Sequence, residues 1–107
     1  MAREQFQTLT EPMYYILLAL TEECCGVDIM GKVRYISKER VKVGPGTLYA
    51  MLSKFEANGI IRLTAEEGRR KSYVITGYGL EMLRAEHDRL KMMVRDGDEA
   101  VREIRNK

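Results

Sequence analysis

The sequence predicts a mainly α fold with one small β-hairpin: three short helices, the hairpin, and a long C-terminal helix. Three observations predict it. Val43–Gly59 carries a helix with its own start and stop signals. Two runs that alternate with period two, Ile60–Ala65 and Lys71–Thr76, flank a glycine-containing turn. From Leu80 onward, apolar residues recur at alternating steps of three and four.

Length and composition set the frame. A chain of 107 residues with 45% hydrophobic side chains makes one domain able to bury a core. Charged residues make up 32%, and no apolar run reaches membrane-spanning length, so a soluble protein with no membrane partner is expected. The N-terminus has no basic stretch leading into an apolar segment, and a cytoplasmic location is the corresponding expectation. The net charge of +2 is unevenly spread: Lys32–Tyr73 holds ten Lys or Arg against four Glu, a net +6, and the rest holds eight against twelve, a net −4. A basic middle between acidic flanks is the footprint of a polyanion-binding face. Cys24 and Cys25 are adjacent, a spacing that strains a disulfide, so reduced thiols are expected.

Met1–Leu9 reads as a polar arm. Thr10 is placed to cap a first helix, with Glu11 and Pro12 in its first turn and Met13, Ile16, Leu17 and Leu20 on its buried face, ending near Glu23. A second helix runs from about Val27 to Ser37 with Ile29, Val33 and Ile36 inward. Lys38–Val43 alternates charged and apolar, enough for a short strand. In the third helix Pro45 takes the first position, Leu48, Met51, Leu52 and Phe55 form the apolar stripe, and Gly59 supplies the left-handed stop.

The hairpin follows, with Ile61, Leu63, Tyr73 and Ile75 on one face and Glu66-Glu67-Gly68-Arg69-Arg70 as its basic tip. Thr76 caps the last helix, whose seam of Leu80, Leu83, His87, Leu90, Val94, Gly97, Val101 and Ile104 has the a/d spacing of a coiled coil. A stripe this long and narrow calls for a second copy as its partner. Asp96-Gly97-Asp98 interrupts it and is a candidate bend or break. His87 alone on an apolar seam reads as a packed histidine, and neither metal ligands nor a cofactor site can be assembled by spacing.

Three helices with the third presented, then a two-stranded wing, make a winged helix-turn-helix over residues 1–76, with a dimerisation helix over 77–107. Such a unit suits double-stranded DNA, the third helix entering the major groove and the wing lying along the backbone. Gly46 and Thr47 open that helix, where backbone N–H groups and a hydroxyl can bind phosphate. Tyr49, Ala50, Ser53 and Lys54 lie along its exposed face. Arg69, Arg70 and Lys71 at the wing tip supply salt-dependent attraction, and Lys42 is a weaker candidate on the preceding strand.

Leu18-Ala19-Leu20, Gly44-Pro45-Gly46-Thr47-Leu48-Tyr49 with Leu52 and Asn58-Gly59-Ile60, and Tyr73-Val74-Ile75-Thr76 with Gly79 together resemble the PadR family of bacterial transcriptional regulators. The likeness spans about residues 13 to 83, and the single C-terminal helix resembles the family's smaller subgroup. It implies a homodimeric repressor on a pseudo-palindromic site, Tyr49 on a phosphate, and release by a small apolar or aromatic effector. In look-alikes the effector lies between the first and last helices, where Met13, Met82, Met92 and Met93 could line a site. Where the family commonly has histidine-glycine-tyrosine, this chain has Cys25-Gly26-Val27, and it has no tryptophan.

Two other readings stay open. One is a regulator of the same fold that senses thiol chemistry or a soft metal through Cys24 and Cys25. The other is a winged-helix adaptor that binds protein, for which a +6 stretch has no use. An enzyme is not expected, because no nucleophile–base spacing or phosphate-cradling loop is present.

Overall fold

The computed structural model describes residues 8–106. Its elements are α1 (Glu11–Ala19), β1 (Cys24–Cys25), α2 (Gly26–Ile36), α3 (Pro45–Ala57), β2 (Ile61–Glu67), β3 (Arg70–Ile75) and α4 (Gly77–Asn106). The three strands form one antiparallel sheet in the order β1-β3-β2. The winged helix-turn-helix is therefore present, with a third strand that the sequence does not announce.

Of the N-terminal arm, residues 1–7 lie outside the described residues. Leu9 is not arm at all: it is 7% exposed and belongs to the core. Thr10 caps α1 as expected, its Oγ1 accepting from the Met13 N–H while its own N–H reaches Met13 Sδ. The helix ends at Ala19 rather than near Glu23, because the chain must turn at Leu20 to enter β1. The Leu20 carbonyl accepts the N–H of Ile75, joining α1 to the far end of β3.

The short strand expected at Lys38–Val43 is a loop. After α2 the backbone turns left-handed at two successive residues, Lys38 (φ 54°) and Glu39 (φ 68°), which regular extended strand does not do. The Glu39 N–H returns to the Arg34 carbonyl and the Lys38 N–H to the Tyr35 carbonyl, a Schellman closure, and the Arg34 guanidinium grips the Glu39 carboxylate at 2.8 Å. Buried Ser37 then accepts the Val41 N–H on its Oγ. Val41 and Val43 turn inward from this loop, which explains the alternation without a strand.

The stripe on α3 is confirmed: Leu48, Leu52 and Phe55 are buried and Met51 is half-buried. Gly59 (φ 72°) ends the helix in a second Schellman motif, with Ile60 N–H on the Phe55 carbonyl and Gly59 N–H on that of Glu56. In the hairpin Ile61 pairs with Ile75 and Leu63 with Tyr73, the register that puts all four on one face. An irregularity at Thr64 lengthens β2 to Glu67, so the tip is Gly68-Arg69 alone, and Glu66, Glu67 and Arg70 lie in the strands.

Thr76 ties hairpin, α3 and α4 together. Its Oγ1 donates to the Gly59 carbonyl (2.6 Å) and accepts from Gly79 N–H (3.0 Å), and its own N–H reaches the Ile60 carbonyl (2.9 Å). Beyond it α4 runs unbroken through Asp96-Gly97-Asp98. One glycine costs a helix only about 1 kcal/mol, too little to interrupt thirty residues. The core gathers Ile16, Leu17 and Leu20, then Ile29 and Val33, then the α3 stripe, and finally Ile60, Ile61, Tyr73, Met82 and Leu83.

Candidate nucleic-acid interface

With Leu48, Leu52 and Phe55 buried, Thr47, Tyr49, Ala50, Ser53 and Lys54 are left exposed on the opposite side of α3. The N-cap of α3 is Gly44, which has no side chain to offer, and Cys25 at the N-cap of α2 makes no capping bond. Both helices therefore present first-turn N–H groups that no capping side chain occupies. Gly46 and Thr47 are in the first turn of α3 and are exposed.

A cleft separates α3 from the wing. It is lined by Tyr49, Leu52 and Ser53 from α3, Arg69, Lys71 and Tyr73 from the hairpin, and Gly26 and Val27 from the start of α2. Tyr49 of α3 lies beside the start of α2 and the wing backbone. A Cβ on Gly26 would stand 3.5 Å from the Tyr49 ring and 3.6 Å from the Lys71 carbonyl oxygen, so ring, α2 and wing backbone meet at this glycine. Burial, with Glu56 and Glu66 nearby, pushes the Tyr73 hydroxyl above its ordinary pKa and keeps it a neutral donor.

Strand alternation divides the basic triplet. Lys71, like Tyr73, faces the cleft, and Arg69 reaches it from the tip. Arg70 faces the opposite side of the sheet, in a recess with Cys25, Ala65, Glu67 and Ser72. Lys42 is exposed between buried Val41 and Val43 in the loop before α3, and does not line the cleft.

The same alternation separates the cysteines. Cys25 lies in the outer recess, whereas Cys24, paired with Tyr73, packs against the core. Both are free thiols, and burial raises the Cys24 pKa, disfavouring the thiolate that metal binding or oxidation requires. Among the described residues no group of three or more His, Cys, Asp or Glu is placed to hold a metal ion.

Along α4 the seam residues have two different environments. Leu83 is 5% exposed and belongs to the domain core, with Leu80 half-buried above it. Past Leu90 the seam leaves the domain: Val94 is 61%, Val101 56% and Ile104 70% exposed. His87, Leu90 and Val94 border a shallow apolar hollow with Lys91 and Arg95. The four methionines are not gathered into one site, since Met82 is in the core, Met13 is half-buried and Met92 and Met93 are exposed. None of the described helices is long and apolar enough to cross a membrane.

Three helices, a wing that faces the third across a cleft, and a long helix leading away define a winged helix-turn-helix protein. Residues 16–85 match the family described as Transcriptional regulator PadR-like family, and the chain belongs to it. The fold is shared with a PadR-like transcriptional regulator from Bacillus cereus: 23% identity, TM-score 0.70, 84% of this chain and 90% of that one covered. A transcriptional regulator from Clostridium thermocellum matches at 21% identity and TM-score 0.67, over 83% of this chain and 90% of that one. In sequence the chain is 32% identical over 77 residues to an uncharacterized 37.1 kDa protein in transposon TN4556 of Streptomyces fradiae. That alignment covers 71% of this chain and 22% of the transposon protein, so the chain spans about a fifth of that relative's length.

Proposed function

We propose that this PadR-like regulator binds double-stranded DNA as a cytoplasmic homodimer and represses transcription from a pseudo-palindromic promoter site, without enzymatic activity. The observation that carries the reading is the cleft in which Tyr49 and Ser53 of α3 face Arg69 and Lys71 of the wing beside the start of α2. A DNA backbone strand dividing major from minor groove fits between those two elements, with α3 in the major groove and the wing over the backbone. Gly46 and Thr47 meet a phosphate at the positive end of α3, Ala50 and Ser53 approach base edges, and Lys54 adds charge. Lys42 and Arg70 contribute through their long-range field.

The exposed seam of Leu90, Val94, Val101 and Ile104, continuing the line of Leu80, Leu83 and His87, supports pairing with a second copy. A small apolar effector favouring another separation of the two recognition helices would release the DNA. With Met13 half-buried on the domain and Met92 and Met93 exposed on the projecting part of α4, its site would be completed by the partner copy, while Met82, which the core buries, would not line it.

The test is binding of the purified protein to the DNA upstream of its own reading frame, by fluorescence anisotropy beside a scrambled duplex. Tight, salt-sensitive, sequence-selective binding supports the reading. Equal weak binding to both duplexes, and to every sequence recovered by a genome-wide selection, overturns it in favour of a protein-binding adaptor.

A further inference from the structure

A base pair is told apart in the major groove by a forked donor or acceptor set against its edge, or by apolar contact with the thymine methyl group. The exposed face of α3 is built for the second. Pro45–Ala57 contains no Arg, Asn, Gln, His or Asp, and its one acid and one lysine, Glu56 and Lys54, come only in the last turn. Ahead of them the exposed side chains are those of Thr47, Tyr49, Ala50 and Ser53, with Gly46 offering none. The hydroxyls of Thr47 and Ser53 both donate and accept, so they suit any base. Tyr49 is turned into the cleft beside the wing, and Arg69, the only guanidinium among the described residues that line the cleft, stands on the wing.

Ala50 occupies the middle of the presented face. At about 100° per residue it is turned about 160° from Leu48, so that it points straight away from the core that buries Leu48, Leu52 and Phe55. Gly46, one turn earlier on the same line, has no side chain to hold the helix off the groove floor. Thr47 is the neighbour of Ala50 at three residues' spacing, with the two Cβ atoms about 5–6 Å apart, a reach that covers adjacent base pairs about 3.4 Å apart. Against the Ala50 methyl, the amino group of cytosine or the carbonyl of guanine loses water and gains no partner. The thymine methyl gains by leaving water.

We propose, resting on the DNA-binding reading above, that α3 selects its operator through the 5-methyl groups of thymine, with Ala50 as the central contact and the Thr47 methyl beside it. Ala50 and Thr47 are then the residues that determine specificity, and each half-site carries thymine where they lie.

The test uses the full-length chain and the duplex that the parent protein selects, made again with each thymine in turn replaced by deoxyuridine. That change removes the 5-methyl group and leaves pairing and every other groove group as it was. Fluorescence anisotropy should find at least one thymine in each half-site whose replacement raises Kd about fourfold, and about sixteenfold when both half-sites are changed, the effect of withdrawing one methyl-sized contact per site. Ala50→Gly removes the protein's methyl group. It should weaken binding to the thymine duplex by a similar factor and bind thymine and uracil at that position equally, the non-additivity of two groups in contact. Thr47→Ser, which keeps the hydroxyl, should do the same at a neighbouring thymine. Ala50→Ser, which keeps a Cβ in the helix and replaces the methyl by a polar group, decides if the glycine variant does not fold. A parent affinity unchanged by uracil at every position, or a thymine preference that survives in the folded variants at both positions, overturns the proposal and leaves DNA binding standing. If the parent does not distinguish any selected duplex from a scrambled one, the DNA reading itself fails and methyl readout falls with it.

Discussion

Replacing Gly79 with alanine adds one methyl group at the most crowded of the glycine positions. Its Cβ would stand 2.2 Å from the Ile60 carbonyl oxygen, 2.8 Å from Ile75 Cγ1 and 3.0 Å from Ile60 Cγ2. The first of these is backbone and already accepts the Thr76 N–H, so it cannot swing aside without breaking that bond. The first turn of α4 must lift from the base of the wing. Overpacking of this kind costs about 1–3 kcal/mol and the disturbed hydrogen bond about 1 kcal/mol, offset by about 1 kcal/mol of better helix propensity. The expected net loss is about 1–3 kcal/mol, a fall in Tm of roughly 5–15 °C for a domain of this size. The control is Gly31→Ala, the same chemical change in an exposed turn of α2 with nothing within 4 Å, which should gain about 0.5–1 kcal/mol. Urea unfolding followed by circular dichroism, at one fixed protein concentration because dimerisation adds to stability, measures both. A Gly79→Ala protein as stable as Gly31→Ala would refute the packing argument at the wing base.

Two further outcomes follow from where side chains sit. Leu83→Glu should unfold the chain, because Leu83 is core, whereas Val94→Glu should leave a folded protein that sediments as a monomer; a dimeric Val94→Glu would remove the seam. The Glu86 carboxyl is held below the ordinary carboxylate range, first by its hydrogen bond to Arg89, with burial opposing. A folded pKa below the unfolded one means that its stabilisation is present above the unfolded value and lost as the pH falls through the folded one. The stability difference between parent and Glu86→Gln should therefore be constant near neutrality and shrink below about pH 4; a difference that grows in acid contradicts the assignment.

The elements that could be read from sequence are those whose signals are local and redundant. Leu48, Leu52 and Phe55 repeat with helical period between Pro45 and Gly59, and Leu63 faces Tyr73 because two alternating strands share one short turn. Thr76 was legible because an N-cap needs only the residues beside it. Cys24–Cys25 was not, for two residues carry no periodicity and their partners, Tyr73 and Ser72, lie far along the chain. The alternation at Arg40-Val41-Lys42-Val43 is real, but a loop stapled by Ser37 produces it as readily as a strand. In the site, composition pointed to Arg69-Arg70-Lys71 as one basic tip, and only the strand register turns Arg70 away from Lys71. The three-four spacing on α4 could not divide Leu83, which the domain buries for itself, from Val94, which it leaves bare.

The central claim is that DNA lies in the cleft between α3 and the wing, and the salt dependence of binding tests it most directly. On the duplex selected by the parent protein, the slope of log K against log salt should fall by about 2 for Arg69→Ala/Lys71→Ala, at about 0.9 per lost phosphate contact. For Arg70→Ala, whose side chain faces the outer recess, it should change by well under one such step. A slope that drops as far for Arg70→Ala, or that stays unchanged in the double variant, would place the DNA elsewhere on the molecule.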